Sequence, residues 1–144
     1  IMKSIYTKGR DNARTPMQWD DSANGGFTTS TPWIKINPNY KEINAQSQIN
    51  DPESIFNYYK KLISLRKENE VIVYGDFIPL LEDDKNIYAY ERVLGDDRIR
   101  VVCNFTDKEV ECDYADANGV ELISNYKDHK DGILRPYEAF MVRL

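Results

Sequence analysis

After Tyr74-Gly75 the apolar residues change from a spacing of 3.6 to a spacing of 2, and they keep the second spacing to the end of the chain. Those two spacings are the ones that line up side chains on one face of a helix and of a strand. The switch therefore predicts an amphipathic helix before it and an antiparallel β module of about 70 residues after it. Residues 77–81, 87–94, 99–105, 110–114, 120–123 and 134–144 read as strands, separated by turn formers at 82–85, Gly95-Asp96-Asp97, Asp107-Lys108, Asn118-Gly119 and Asp131-Gly132. Closing the meander into a sandwich with the last strand removes its exposed edges. A four-residue loop at 95–98 pairs Tyr88 with Phe105, Tyr90 with Cys103 and Leu94 with Ile99. A two-residue turn at Asp107-Lys108 pairs Phe105 with Val110, Cys103 with Cys112 and Val101 with Tyr114. Both registers bury the same apolar face, and they make the two cysteines cross-strand neighbours.

Ahead of the switch, Asp51 reads as an N-cap, Pro52 as the first helical residue and Glu53 as an acid in the favoured first turn of a helix over 52–69. Ile55, Tyr59, Leu62, Ile63 and Arg66 form its stripe, widened by Phe56 and Leu65, and this stripe needs a surface to cover it. Residues 20–50 show neither period, only turn chemistry with Phe27, Trp33, Ile34, Ile36, Tyr40 and Ile43 interleaved. Long irregular segments of this kind in compact proteins are commonly functional loops. The aromatics read either as platforms for sugar rings or as pins that hold the loop to a neighbouring surface.

The stretch 9–21, Gly-Arg-Asp-Asn-Ala-Arg-Thr-Pro-Met-Gln-Trp-Asp-Asp, carries too much charge and too many turn formers for a core element. Arg10 and Arg14 suit recognition of a hydroxyl-rich or anionic ligand, because a guanidinium donates several hydrogen bonds from a rigid plane and stays charged. The plain alternative is a pair of surface arginines tied to Asp11, Asp20 or Asp21. With 19 Lys and Arg against 24 Asp and Glu, the chain is net acidic, which speaks against nucleic acid as a partner. No apolar run approaches the roughly 18 residues of a membrane span, and no apolar signal region opens the chain, so a cytoplasmic protein is expected. Cys103 and Cys112 then read as reduced core thiols. His129, in a polar run, reads as a solvated loop residue, and no zinc site is expected. The acceptor-like Asn104-Phe105-Thr106 is discounted for glycosylation.

The order loop, helix, β module and the string Arg10-Asp11-Asn12-Ala13-Arg14-Thr15-Pro16-Met17-Gln18-Trp19-Asp20 resemble the C-terminal part of α-glucosidases of the α-amylase superfamily, the oligo-1,6-glucosidase and dextran glucosidase group above all. Asn37-Pro38-Asn39-Tyr40-Lys41-Glu42-Ile43-Asn44, Tyr59-Lys60-Lys61-Leu62-Ile63, Leu65-Arg66-Lys67, Val73-Tyr74-Gly75, Asn104-Phe105-Thr106 and Leu134-Arg135-Pro136-Tyr137-Glu138-Ala139 match as well. The resemblance implies a (β/α)₈ barrel followed by an antiparallel β-sandwich. Residues 1–72 would be the end of the barrel, with the loop after strand 8 and the last helix, and residues 73–144 the sandwich domain. Loops after the strands build the catalytic face of such barrels.

The resemblance further implies a retaining, exo-acting glycoside hydrolase with two carboxylates about 5 to 5.5 Å apart. Those carboxylates belong to upstream strands, so no catalytic residue is expected in this chain, nor any metal or cofactor. Arg10 matches the family arginine that reaches the non-reducing glucosyl unit. Asp11 and Arg14, through salt bridges and backbone bonds, and Gln18 and Trp19, through packing, match its loop scaffold. Gly9 departs from the Ser or Ala more common in the family and would add backbone freedom beside Arg10. The implied substrates are α-1,6 and some α-1,4 glucosides of isomalto-oligosaccharides. The missing barrel is the implied partner, and the bare helix stripe implies self-association of the fragment. The same strings also resemble sucrose isomerases and trehalulose-forming relatives. A second class is a non-catalytic relative such as the amino-acid-transporter heavy chains, which keep the fold without the chemistry. A third is a sugar-binding β module with an incidental leader, which the helix over 52–69 argues against.

Overall fold

The computed structural model describes residue 5, residues 8–116 and residues 118–144. The chain forms two compact units, Ile1–Lys60 and Lys61–Leu144. In the first unit, 3₁₀ turns at Asp11–Ala13, Ala23–Gly26 and Pro38–Lys41 precede a short helix α1 (Ala45–Ile49). Asparagines organise this region: Asn37 Oδ1 accepts from Asn39 N at 3.3 Å, and Asn44 Oδ1 caps α1 by accepting from Ser47 N at 2.9 Å.

Helix α2 (Ile55–Glu68) starts three residues later than the sequence suggests, and its cap is Ser54. Ser54 Oγ accepts from Asn57 N at 3.2 Å and donates to Gln48 O at 2.8 Å. Asp51 instead closes the turn ahead of the helix by accepting from Glu53 N at 2.9 Å, which leaves Pro52 and Glu53 outside it. Much of the predicted stripe is exposed, Ile55 81% and Tyr59 64%, while Leu62 and Leu65 are half-buried. Asn69 ends the helix, its side chain donating to Leu65 O at 2.7 Å, and the five-residue helix α3 (Glu70–Tyr74) follows with Val71 fully buried.

The second unit holds strands β1 (Asp76–Leu80), β2 (Ile87–Leu94), β3 (Asp97–Asn104), β4 (Val110–Glu111), β5 (Val120–Ser124), β6 (Ile133–Leu134) and β7 (Ala139–Arg143). Five form one antiparallel sheet in the order β1-β2-β3-β7-β5, and β4 pairs with β6 as a second, smaller layer. β1 and β5 are the edges; β1 carries Pro79, and β5 bulges between Glu121 and Ile123.

The β2–β3 hairpin is tighter than the expected four-residue loop. Leu94 pairs with Asp97 across Gly95-Asp96, so Tyr88 faces Cys103 and Tyr90 faces Val101. Gly95, at φ +60°, supplies the positive φ that the first position of such a two-residue turn favours. A register shift of two keeps every side chain on its expected face. The core, however, lies on the opposite face. Ile87, Ala89, Val102, Phe140 and Val142 are sealed beneath Cys112, Ala115 and Leu134, with Leu80, Leu81, Val110 and Tyr114 around them. The aromatic face of Phe77, Tyr88 and Tyr90 is covered by α3 near Ile99 and otherwise open.

The expected β3–β4 hairpin is absent, and with it the pairing of the two thiols. Asn104 ends β3: Oδ1 accepts from Thr106 N at 2.9 Å, while Nδ2 donates to Lys108 O at 2.7 Å and Arg135 O at 2.9 Å. These bonds turn the chain out of the sheet, and β7 takes the free edge of β3. Cys103 and Cys112 are both free thiols, pushed up in pKa by burial. The single strand expected over 134–144 breaks into β6 and β7 at Tyr137, whose φ of +55° is rare for a bulky residue.

Candidate functional site

The loop 9–21 is built around Gln18. Its Nε2 donates to Asn39 Oδ1 at 3.1 Å and also to Ile43 O, while its own carbonyl accepts from Ala45 N at 2.9 Å. The carbonyl of Trp19 accepts from Gln46 N at 2.9 Å, and Trp19 N donates to Gly25 O at 2.8 Å. One amide side chain and two backbone bonds thus stitch the loop to the Asn37–Asn44 string and to the start of α1, and a third backbone bond ties it to Gly25. Pro16 is buried beside this anchor, whereas the Trp19 indole is about half exposed.

The charged end of the loop stands free of that anchor. Arg10, Asp11 and Arg14 are exposed, and their main chain forms the 3₁₀ turn, with Ala13 N donating to Arg10 O at 3.1 Å and Arg14 N to Asp11 O at 2.9 Å. Among the described residues no ion pair involves Arg10, Asp11 or Arg14, so neither the expected salt bridges nor ties to Asp20 or Asp21 are present there. Asp20 is occupied elsewhere: the hydroxyl and backbone N–H of Ser22 both donate to its carboxylate and hold it below its ordinary pKa. Gly9 gives no added freedom. A Cβ there would stand 2.5 Å from Ile5 O, so the position is fixed by close backbone approach.

Asp11 and Thr15 share a concavity of about 350 Å³ with Trp33, Ile34 and Lys35. Trp33 is 97% exposed, the most open large aromatic described, and Phe27 is half exposed, while Tyr40 is largely packed. The loop aromatics therefore divide: Tyr40 pins the segment, and Trp33 offers an open ring face beside a carboxylate and an amine. Among the described residues no group of three His, Cys, Asp or Glu side chains is arranged to hold a metal ion, and no helix is long and apolar enough to cross a membrane.

His129 is not solvated. It sits between the carboxylates of Glu121 and Glu138, edge-on to the Phe140 ring at 4.7 Å. Glu138 is 1% exposed. Burial alone would raise its pKa, but the hydrogen bonds from Arg135 outweigh that and hold it below the ordinary value. Arg135 in turn lies 4.0 Å over the Tyr126 ring. A lone polar histidine in a turn-rich run gives no local sign of such a setting, since both carboxylates come from other segments.

The "Alpha amylase, catalytic domain" family matches residues 1–75, more than half of the chain, and the "Maltogenic Amylase, C-terminal domain" family matches residues 77–140. The chain belongs to the alpha-amylase family. Within that family it is 50% identical over 153 aligned residues to the oligo-1,6-glucosidase of Parageobacillus thermoglucosidasius, covering 100% of this chain and 27% of the relative. It is 44% identical to the glucan 1,6-alpha-glucosidase of Streptococcus pneumoniae serotype 4, covering 100% and 27%. The trehalose-6-phosphate hydrolase of Bacillus licheniformis matches in structure with a TM-score of 0.87 at 43% identity, over 99% of this chain and 27% of that one. An isomaltulose synthase from a Klebsiella species matches at 0.84 and 38%, over 93% and 25%. The chain spans about a quarter of the length of the alpha-amylase family relatives it matches. Its fold is that of the end of such enzymes, a sheet-rich C-terminal part preceded by barrel sequence.

Proposed function

We propose that this chain is the C-terminal part of a retaining, exo-acting glycoside hydrolase that cleaves α-1,6, and to a lesser extent α-1,4, glucosidic bonds of isomalto-oligosaccharides. The observation that carries the reading is the 50% identity to an oligo-1,6-glucosidase along the whole chain. The Gln18 anchor agrees with it, because it leaves Arg10 exposed at the tip of a stitched loop. In this reading residues 1–72 close the catalytic barrel and residues 73–144 are its accessory sandwich. Arg10 donates to vicinal hydroxyls of the non-reducing glucosyl unit, and Asp11, Arg14, Gln18 and Trp19 hold the loop that presents it. The acid and the nucleophile come from upstream sequence. Two unpaired cysteines fit a cytoplasmic enzyme.

The test is made on the full-length protein with isomaltose, p-nitrophenyl α-glucoside, sucrose and trehalose 6-phosphate. Hydrolysis of isomaltose with the highest kcat/KM is expected. Conversion of sucrose to an isomeric disaccharide without net hydrolysis would favour the sucrose isomerase reading, and no turnover of any of the four a non-catalytic relative. Arg10→Ala should lower kcat/KM on isomaltose by roughly 10- to 100-fold, the value of one or two charge-assisted hydrogen bonds. An unchanged kcat/KM would remove Arg10 from the substrate.

A further inference from the structure

We propose that His129 is a proton-dependent clamp: as an imidazolium it ties β5 to the turn before β7, and it releases that tie when it loses its proton. The geometry requires two donors. Nε2 lies 2.7 Å from Glu121 Oε2 and Nδ1 lies 3.2 Å from Glu138 Oε1. A neutral imidazole has one N–H, so its second nitrogen would turn a lone pair toward a carboxylate that has none to donate.

Glu138 is kept ionised by a fork of bonds that does not involve the histidine. Arg135 Nε donates to Oε2 at 3.0 Å, Arg135 Nη2 to Oε1 at 3.0 Å, and Arg135 N to Oε2 at 2.8 Å. Among the described residues, the charged groups paired at the ring are Glu121 from β5, Glu138 and Arg135 from the 135–138 turn, and Asp128 beside it in the chain, which pairs with Arg135 at 2.7 Å. Three carboxylates against one guanidinium leave two negative charges, and the imidazolium reduces them to one. Lys130, the next residue, is engaged with Glu109. Phe140 closes the remaining side, and the His129 side chain is 17% exposed and Glu138 1%, so water does not readily replace the Glu138 carboxylate.

Protonation therefore supplies the second donor that the two carboxylates require, and the neutral ring can satisfy only one of them. The proton needs no change elsewhere in the fold to leave: Glu121 is on the solvent edge, with its side chain 46% exposed. Loss of the Nε2–H bond frees the segment between β5 and β6 from its outer tie, while Glu138 stays held by Arg135.

Hydrogen–deuterium exchange of the full-length protein, read by mass spectrometry on peptides covering 120–140 between about pH 5.5 and about pH 8, tests the clamp after correction for intrinsic exchange rates. Protection across residues 126–134 is expected to fall about tenfold over that span, the value of a charge-assisted bond. His129→Gln should show low protection at both ends and no pH dependence. Glu121→Gln, which leaves the buried Glu138 pair intact, should move the loss of protection to lower pH. Protection that is flat with pH in the unmodified protein, or a pH dependence that survives in either variant unchanged, would overturn the proposal.

Discussion

Glu138 shows how one side chain can hold several segments. Its carboxylate accepts from the guanidinium and backbone N–H of Arg135 and faces His129, and its backbone carbonyl accepts from Asn104 N at 2.8 Å. Its carboxyl is held below its ordinary value in the fold, so it contributes stability at pH above the unfolded-state value and loses it as pH falls through the lower folded value. Glu138→Gln should therefore cost about 3 to 5 kcal/mol at neutral pH, as for a buried pair broken on one side, and should flatten the acid limb of a thermal stability profile. Equal slopes in the two proteins below pH 5 would contradict it, the unfolded glutamate titrating near about 4.3. The sequence did point to this residue, through the string 134–139, but as a family mark and without its role. At the loop, the polarity of 9–21 was legible from residue type, whereas Gln18, expected from the family resemblance to pack the loop, anchors it through hydrogen bonds. The concavity that Asp11 shares with Trp33 was not, because the two are joined only by the turns between them.

Elements show where periodicity suffices and where it does not. The change of spacing at Tyr74-Gly75 locates the start of the β module to within a residue, and β2 and β3 lie where alternation puts them. The β2–β3 register differs by two because the turn is tighter, and past Asn104 the pairing partners differ altogether, because a chain can leave the sheet at a side-chain-capped bend as readily as turn back in it. The buried face was misread for a different reason: both faces of β2 and β3 carry apolar residues, and alternation cannot say which of two apolar faces meets the smaller sheet. The helix start shows the same ambiguity, since Asp51 and Ser54 are both good caps and only geometry separates them. Ser54→Ala should cost about 0.5 to 2 kcal/mol and Asp51→Ala less, measured by denaturant unfolding of the full-length protein. The reverse order would restore Asp51 as the cap.

For the molecule as a whole, the open faces matter as much as the closed ones. The α2 stripe exposes Ile55, Tyr59 and Ile63, and the aromatic side of the large sheet exposes Phe77 and Tyr88. The 144-residue chain expressed alone is expected to show no turnover of p-nitrophenyl α-glucoside, because the carboxylates of the proposed mechanism are upstream. It is also expected to run above its 16.8 kDa monomer mass in light scattering as these side chains meet copies of themselves. Activity that is lost in Arg10→Ala, or a monomeric mass at tens of micromolar, would count against these two expectations respectively. The form of the association follows from the two edge strands. At one edge Pro79 offers an incoming strand no amide proton, and at the other the bulge after Glu121 twists the backbone out of register. Neither margin templates a fibre. The assemblies should accordingly be soluble oligomers that dissolve on dilution and leave thioflavin T dark.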